Sequence, residues 1–191
     1  MFGRRVMAMV LSSAALAGSA LVWAPAGQAD GTGRGDGTGR GDGARNSGVV
    51  CSGPSRSTYS PGLSLRPQLT AVHADSRYVC TVAPGRTVRA SGAVDAVAPE
   101  ASCIALNSPT ARETVQYEDG RKSVIDYDSA HVVRVAGGNL VTLLGKVTAG
   151  RGEGQAARRS ALTLPEQPPT ACVSPGIDHA GGGAQLEIEP Y

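Results

Sequence analysis

The side chains able to do acid–base or nucleophilic chemistry are few and scattered. The chain has three histidines, His73, His131 and His179. A hydrolytic triad would need one of them as base, oriented by Asp75, Asp126, Asp128 or Asp178. His131 with Asp126 or Asp128 is the leading grouping of this kind. No GxSxG or SxxK motif presents a nucleophile. His73 ends one β-like pattern, His131 starts another and His179 sits in the Gly-rich IDHAGGG, which reads as a turn; ordinary surface histidines are the plainer account. Paired carboxylates for glycoside cleavage would be Glu118 with Asp119 or Asp126 with Asp128. Neighbours on a strand point to opposite faces, which disfavours the first pair, and the second flanks an expected turn. No catalytic residue is assigned.

Cysteine chemistry points to structure instead. Cys51, Cys80, Cys103 and Cys172 form an even set with no CxxC spacing, so two disulfides are expected and neither a metal nor any other cofactor is. Three connectivities are open. Cys51 with Cys80 and Cys103 with Cys172 is favoured, because nearer pairs form easily and each then ties down a separate half.

The start of the chain agrees with an oxidising destination. MFGRR is followed by an apolar run from Val6 to Val22 and by Gly27 and Ala29 at the minus-three and minus-one positions, the pattern of a secretory signal peptide cut before Asp30. Its loss removes Arg4 and Arg5 and leaves sixteen basic against sixteen acidic residues. Such a balance gives no reason to expect nucleic acid or an anionic membrane as partner. Trp23 and Phe2, the only Trp and Phe, leave as well, which excludes a carbohydrate module built on a Trp platform.

From Asp30 to Gly48 the repeat DGTGRG carries almost no apolar side chain and reads as a flexible tether. Its two RGD triplets, at Arg34 and Arg40, are a by-product of that repeat, and it lacks the apolar position that calcium-binding β-roll repeats need.

The remainder, Val49 to Tyr191, has a period of two. In GLSLRPQLTAV the alternation sets Leu63, Leu65, Leu69 and Ala71 on the buried face of one strand, with Pro67 suggesting a sheet edge. NLVTLLGKVT buries Val141, Leu143 and Val147, and the last strand buries Leu186 and Ile188. In RETVQYEDGRKSVIDY a two-residue Asp119-Gly120 turn would place Glu118 opposite Arg121, Val115 opposite Val124 and Glu113 against Asp126. The expected fold is an all-β antiparallel sandwich or barrel of about eight to ten strands, with no helix.

CSGPSRSTYSPGL (Cys51 to Leu63), YVC (Tyr78 to Cys80), YEDGRKS (Tyr117 to Ser123), RVAGGNLVTLLGKVTAGRGEG (Arg134 to Gly154) and ACVSPGI (Ala171 to Ile177) resemble, in their order and spacing, a group of small exported four-cysteine β-rich proteins of actinomycetes. The resemblance implies an exported β domain and transfers no catalytic residues; the repeat arm is outside its pattern. The function expected is a non-enzymatic extracellular binding or surface-presenting module, monomeric, with an extracellular partner. Two rivals are a hydrolase assembled from dispersed residues and a protease inhibitor presenting the Pro-stiffened LTLPEQPPTAC before Cys172. A concave pocket holding a His and a carboxylate within hydrogen-bond reach would favour the hydrolase; a filled barrel or flat sandwich would favour the binding module.

Overall fold

A computed structural model of the chain describes residues 47–190 except 108, 109 and 136. The expected signal peptide, and all of the expected arm except Ser47 and Gly48, lie outside the described residues. Among those residues no helix is long and apolar enough to cross a membrane.

The described residues form nine strands in chain order: β1 (Val49–Leu63), β2 (Gln68–Ala83), β3 (Arg86–Ala101), β4 (Leu106–Asn107), β5 (Thr110–Tyr117), β6 (Lys122–Val135), β7 (Gly138–Gly150), β8 (Ala156–Pro165) and β9 (Ile177–Ile188). A 3₁₀ turn, Pro169–Cys172, lies between β8 and β9. Each long strand pairs antiparallel with the next, and β1 closes on β9, so eight strands make an up-and-down barrel with the two-residue β4 hung on the end of β3. Closure leaves no long edge to protect. The expected all-β antiparallel barrel is what the chain forms.

Alternation dictates what enters the barrel. On β2, Ala74, Ser76, Tyr78, Cys80 and Val82 are buried while the residues between them face out. One end of the lumen is densely filled: Tyr78, Tyr117, Ile125, Val115, Val147, Leu186 and Ile188 are at most 2% exposed. A second cluster caps the other end, made of Tyr59, Leu63, Ala98, Ala101, Cys103, Ala171, Ile177 and Ala180.

Both favoured disulfides form. Cys51 and Cys80 stand opposite each other on β1 and β2, beside the filled end. Cys103 follows β3 and Cys172 lies between β8 and β9, on opposite sides of the eight-strand ring, so this bridge straps the capped end. With sequence separations of 29 and 69 residues, loop closure assigns them roughly 3.6 and 4.4 kcal/mol of stabilisation.

Several local expectations are corrected. GLSLRPQLTAV is not one strand: it turns at 64–67, Leu65 and Leu69 are 52% and 63% exposed, and Thr70 is the fully buried residue. Pro67 thus belongs to a turn rather than a sheet edge. The β5–β6 hairpin is one residue out of the expected register, with Val115 opposite Ser123, Glu113 opposite Ile125 and Arg112 opposite Asp126. The connection spans Glu118, Asp119 and Gly120: Tyr117 N–H donates to Arg121 O at 2.9 Å and Gly120 N–H to Tyr117 O at 3.0 Å. Gly120 takes φ +81°, the left-handed residue that closes a three-residue loop. His73, His131 and His179 all lie within strands, β2, β6 and β9, rather than at strand ends or in a turn.

Candidate functional site

The strand pattern that fills the barrel also carries charge into it. On β5 the inward set is Ala111, Glu113, Val115 and Tyr117; on β8 it is Ala157, Arg159, Ala161 and Thr163. Glu113 is 0% and Arg159 3% exposed. Arg159 Nε lies 3.5 Å from Glu113 Oε2. Glu113 Oε1 accepts from Tyr78 Oη at 3.0 Å and Oε2 from Tyr127 Oη at 2.5 Å. Arg159 Nη2 donates to Ser55 Oγ at 3.2 Å and Ser76 Oγ at 2.9 Å. Strands β1, β2, β5, β6 and β8 thus supply one polar layer across the lumen.

This layer is held in place by steric fit as well as by charge. A side chain at Gly92 would bring its Cβ within 2.6 Å of the Tyr78 ring and 2.8 Å of Glu113 Oε1, so glycine on β3 makes the room the layer occupies. Desolvation, followed by the negative charge of Glu113, pushes the hydroxyls of Tyr78 and Tyr127 well above the usual tyrosine range. They serve as donors and not as bases. Arg159 Nε is buried and meets only Glu113 Oε2, at the 3.5 Å of an ion pair and not in a hydrogen bond.

Between this layer and the capped end the lumen is not filled. A cavity of about 70 Å³ is lined by Ser57, Tyr59, Val72, Ala74, Val94, Ala96, Ala98, Leu106, Val132, Val141, Leu143, Arg159, Ala161 and Thr163. An eight-stranded barrel is just wide enough for side chains to close. Four alanines on β2, β3 and β8 fall short of the axis, and the space stays open. Arg159 is the one charged residue on its wall; Glu113 stands behind and does not line it. Tyr59 and Thr163 also line a second cavity, about 180 Å³, beside the Cys103–Cys172 strap, together with Arg134, Asn139 and Gln167. The two spaces meet at that tyrosine and threonine.

The residues expected to do chemistry lie on the outer wall. Asp126 is held by Arg112, Nε to Oδ1 at 2.6 Å and Nη2 to Oδ2 at 3.0 Å. His131 and Asp128 are exposed, and His131 contacts neither Asp126 nor Asp128 by hydrogen bond or ion pair, so the structure does not bring that candidate site together. Of the Asp126 and Asp128 carboxylates, the first is taken up by Arg112, and the β6 register shifts between Tyr127 and Ser129, on either side of the second. Asp119 is committed to Arg151 Nη2 at 2.5 Å and Arg86 Nη2 at 3.5 Å; burial pushes its carboxyl up, and the Arg151 and Arg121 interactions outweigh this and hold it below the usual range.

A different histidine has found carboxylates. His73 Nδ1 is 2.7 Å from Asp95 Oδ1 and Nε2 is 3.4 Å from Asp75 Oδ2. The Asp95 hydrogen bond, aided by Asp75, raises its pKa above 6.5 against slight desolvation. This cluster borders an open groove of about 600 Å³ across β1, β2, β3, β5 and β6. The groove meets the condition set for the hydrolase, a concave pocket with a His and a carboxylate in hydrogen-bond reach, but both ring nitrogens face carboxylates and neither is left to take a proton from a nucleophile. His179 is 3.8 Å from Asp178, with both exposed.

The Pro-rich segment before Cys172 does not stand out as an extended strand. Glu166 pairs with Arg56 at 3.1 Å, Pro169–Cys172 coils into the 3₁₀ turn, and Ala171 is buried in the cap. Glu113, Arg159, Tyr78 and Tyr127 were not among the sequence candidates. The signal for them was phase: Glu113 lies two residues from Val115, and Arg159 two from both Ala157 and Ala161, on faces that are otherwise apolar or small. No family model, curated protein or solved structure matches the chain.

Proposed function

We propose that the chain is an exported, non-enzymatic binding protein that holds a small, mainly apolar ligand inside its barrel. The observation that carries this reading is the open apolar space above the buried Arg159–Glu113 pair. A void there forgoes dispersion contacts that larger side chains would make. Leu or Val in place of the alanines would restore them. At about 70 Å³ it exceeds the roughly 10 to 15 Å³ that one water requires. Two disulfides suit an extracellular setting, and export with cleavage before Asp30 is part of the proposal.

Xenon tests the lumen directly, since dry apolar cavities accept it. With the folded protein, xenon should shift the methyl resonances of Val72, Val94, Val132, Val141 and Leu143, which line the space. Ala161→Leu should abolish the shifts by filling it. Unmoved methyl signals at saturating guest would overturn the reading.

A further inference from the structure

We infer that the outer wall around β8 and β9 is a two-fold interface through which the chain binds a second copy of itself. Among the described residues twelve large apolar side chains are exposed, and six of them, Val50, Val133, Leu140, Leu144, Leu162 and Leu164, lie on the contiguous wall of β6, β7, β8, β9 and β1. Register sets three of these side by side, Val133 opposite Leu140 and Leu140 opposite Leu162. The row continues through Gly183 and Pro54, so a charge-free line crosses five strands, about 19 Å at the usual strand spacing. Exposed apolar residues occur singly on most surfaces; a contiguous row with a polar rim marks a contact.

The occupant follows from how the two central strands differ. Leu162 on β8 is a ridge and its neighbour Gly183 on β9 a trough: a Cβ added at Gly183 would meet nothing closer than the Gly53 carbonyl oxygen at 3.9 Å. Further along, towards the filled end, Arg158 on β8 stands opposite Glu187 on β9. Among the described residues Arg158 makes no hydrogen bond or ion pair, and Glu187 accepts only from Gln185 Nε2, at 2.6 Å. Between these two rows Ser160 stands opposite Gln185. On the side of the capped end the patch is bounded by the Arg56–Glu166 ion pair.

A two-fold axis parallel to the strands, midway between β8 and β9, exchanges those strands without any shift along them. It sets Leu162 of one copy over Gly183 of the other, Arg158 over Glu187 and Ser160 over Gln185. The flanking strands follow, with Leu140 on β7 over Pro54 on β1 and Leu144 over Val50. Large meets small, cation meets anion and apolar meets apolar, the self-complementarity that a closed dimer requires. A barrel wall is convex, and this axis puts the glycine trough on the line of closest approach.

Sedimentation of the folded, disulfide-intact chain should give twice the monomer mass at about 100 μM, the weak end of the range for specific interfaces. Leu162 is exposed, so Leu162→Asp should keep the barrel folded and weaken the dimer about a hundredfold. Arg158→Glu and Glu187→Arg should each weaken it about tenfold or more, because each sets like charges together at two places. Mixed in equal amounts, the two charge variants should recover the dimer, since their heterodimer again faces every acid with a base. Should Leu162→Asp fail to fold, this mixing decides. A monomer at that concentration, the state expected from the sequence, overturns the inference. So does a dimer that a folded Leu162→Asp leaves intact, or a pair of charge variants that stays monomeric when mixed. Lumen binding is read separately, by the methyl shifts with xenon, and stands or falls without the dimer.

Discussion

Arg112 and Glu113 are consecutive on β5, and each belongs to an ion pair of quite different character. Arg112 points outward and grips Asp126 on the neighbouring strand with two hydrogen bonds, at 2.6 and 3.0 Å. Glu113 points inward and meets Arg159 across the lumen at 3.5 Å, with its oxygens shared between two tyrosines. The better-formed pair is the exposed one, where water screens it and competes for both partners. The looser pair sits away from water, where two tyrosine and two serine hydroxyls are what else solvates the charges. Geometry alone would rank them in the wrong order; what differs is what each charge does when its partner is lost.

That difference is largest when one inner partner is removed. Glu113→Ala leaves Arg159 as an isolated buried cation, which should cost about 3 to 5 kcal/mol and lower Tm by about 10 to 15 °C for a domain of this size. Glu113→Gln/Arg159→Met should recover most of the loss, because two neutral groups replace two charges. Thermal and urea denaturation of the three proteins checks both statements. A single variant as stable as wild type would mean that water reaches the pair, and the contrast with Arg112 would collapse.

Steric support comes next in size. Gly92→Ala places a methyl against the Tyr78 ring and Glu113 Oε1 at distances of 2.6 and 2.8 Å, and the forced shift should destabilise by about 2 kcal/mol. Tyr127→Phe removes one donor to Glu113 Oε2 and should cost about 1 kcal/mol, since Tyr78 and Arg159 remain. Gly92→Ala at wild-type stability would show that the layer has slack that the packing around β3 does not suggest.

How much of this was legible follows from what strand periodicity encodes. It separates inside from outside, and so it identified Leu143, Val147, Leu186 and Ile188 as core, with Val141 half-buried beside them. Cysteine spacing likewise gave both bridges, because proximity along the chain favours the pairing that forms. Register is another matter. Asp119-Gly120 fits a two-residue turn and also the last two positions of a three-residue one, and a slip of one residue decides whether Glu113 faces Asp126 or Ile125. With the shorter turn, Glu113 looked like a clash at the end of a hairpin; with the longer one, Arg112 takes Asp126 and Glu113 is free to point at β8. Its partner Arg159 is 46 positions away, a closure across the barrel that no local pattern reveals. The lumen cavity was hidden for a related reason: alanines read as ordinary core until closure sets how far apart facing strands stand.

Outer-wall charges should respond to pH rather than to deletion. His73 has a raised pKa through Asp95 and then Asp75, so its contribution is present below 6.5 and fades as pH rises through its higher folded value. The Tm difference between wild type and His73→Gln should therefore be greater near about pH 5.5 than near about pH 8.5, and an NMR titration of the His73 ring should show a midpoint above 6.5. A midpoint below that value would detach the ring from both carboxylates.

The smallest effect belongs to the pair with the better geometry. Hydrogen bonding from Arg112 lowers the Asp126 pKa below 3.8, so whatever this pair contributes is present near neutrality and disappears only as pH falls through that lowered value. Both side chains are open to solvent, 66% and 41% exposed, and in the unfolded chain each recovers full hydration. Asp126→Asn should leave Tm near neutral pH almost unchanged, and added salt should erase the little that remains. If Asp126→Asn instead destabilised the barrel as strongly as Glu113→Ala, burial would not be what separates the two pairs, and register at the β5–β6 hairpin would be the quantity the outer pair protects.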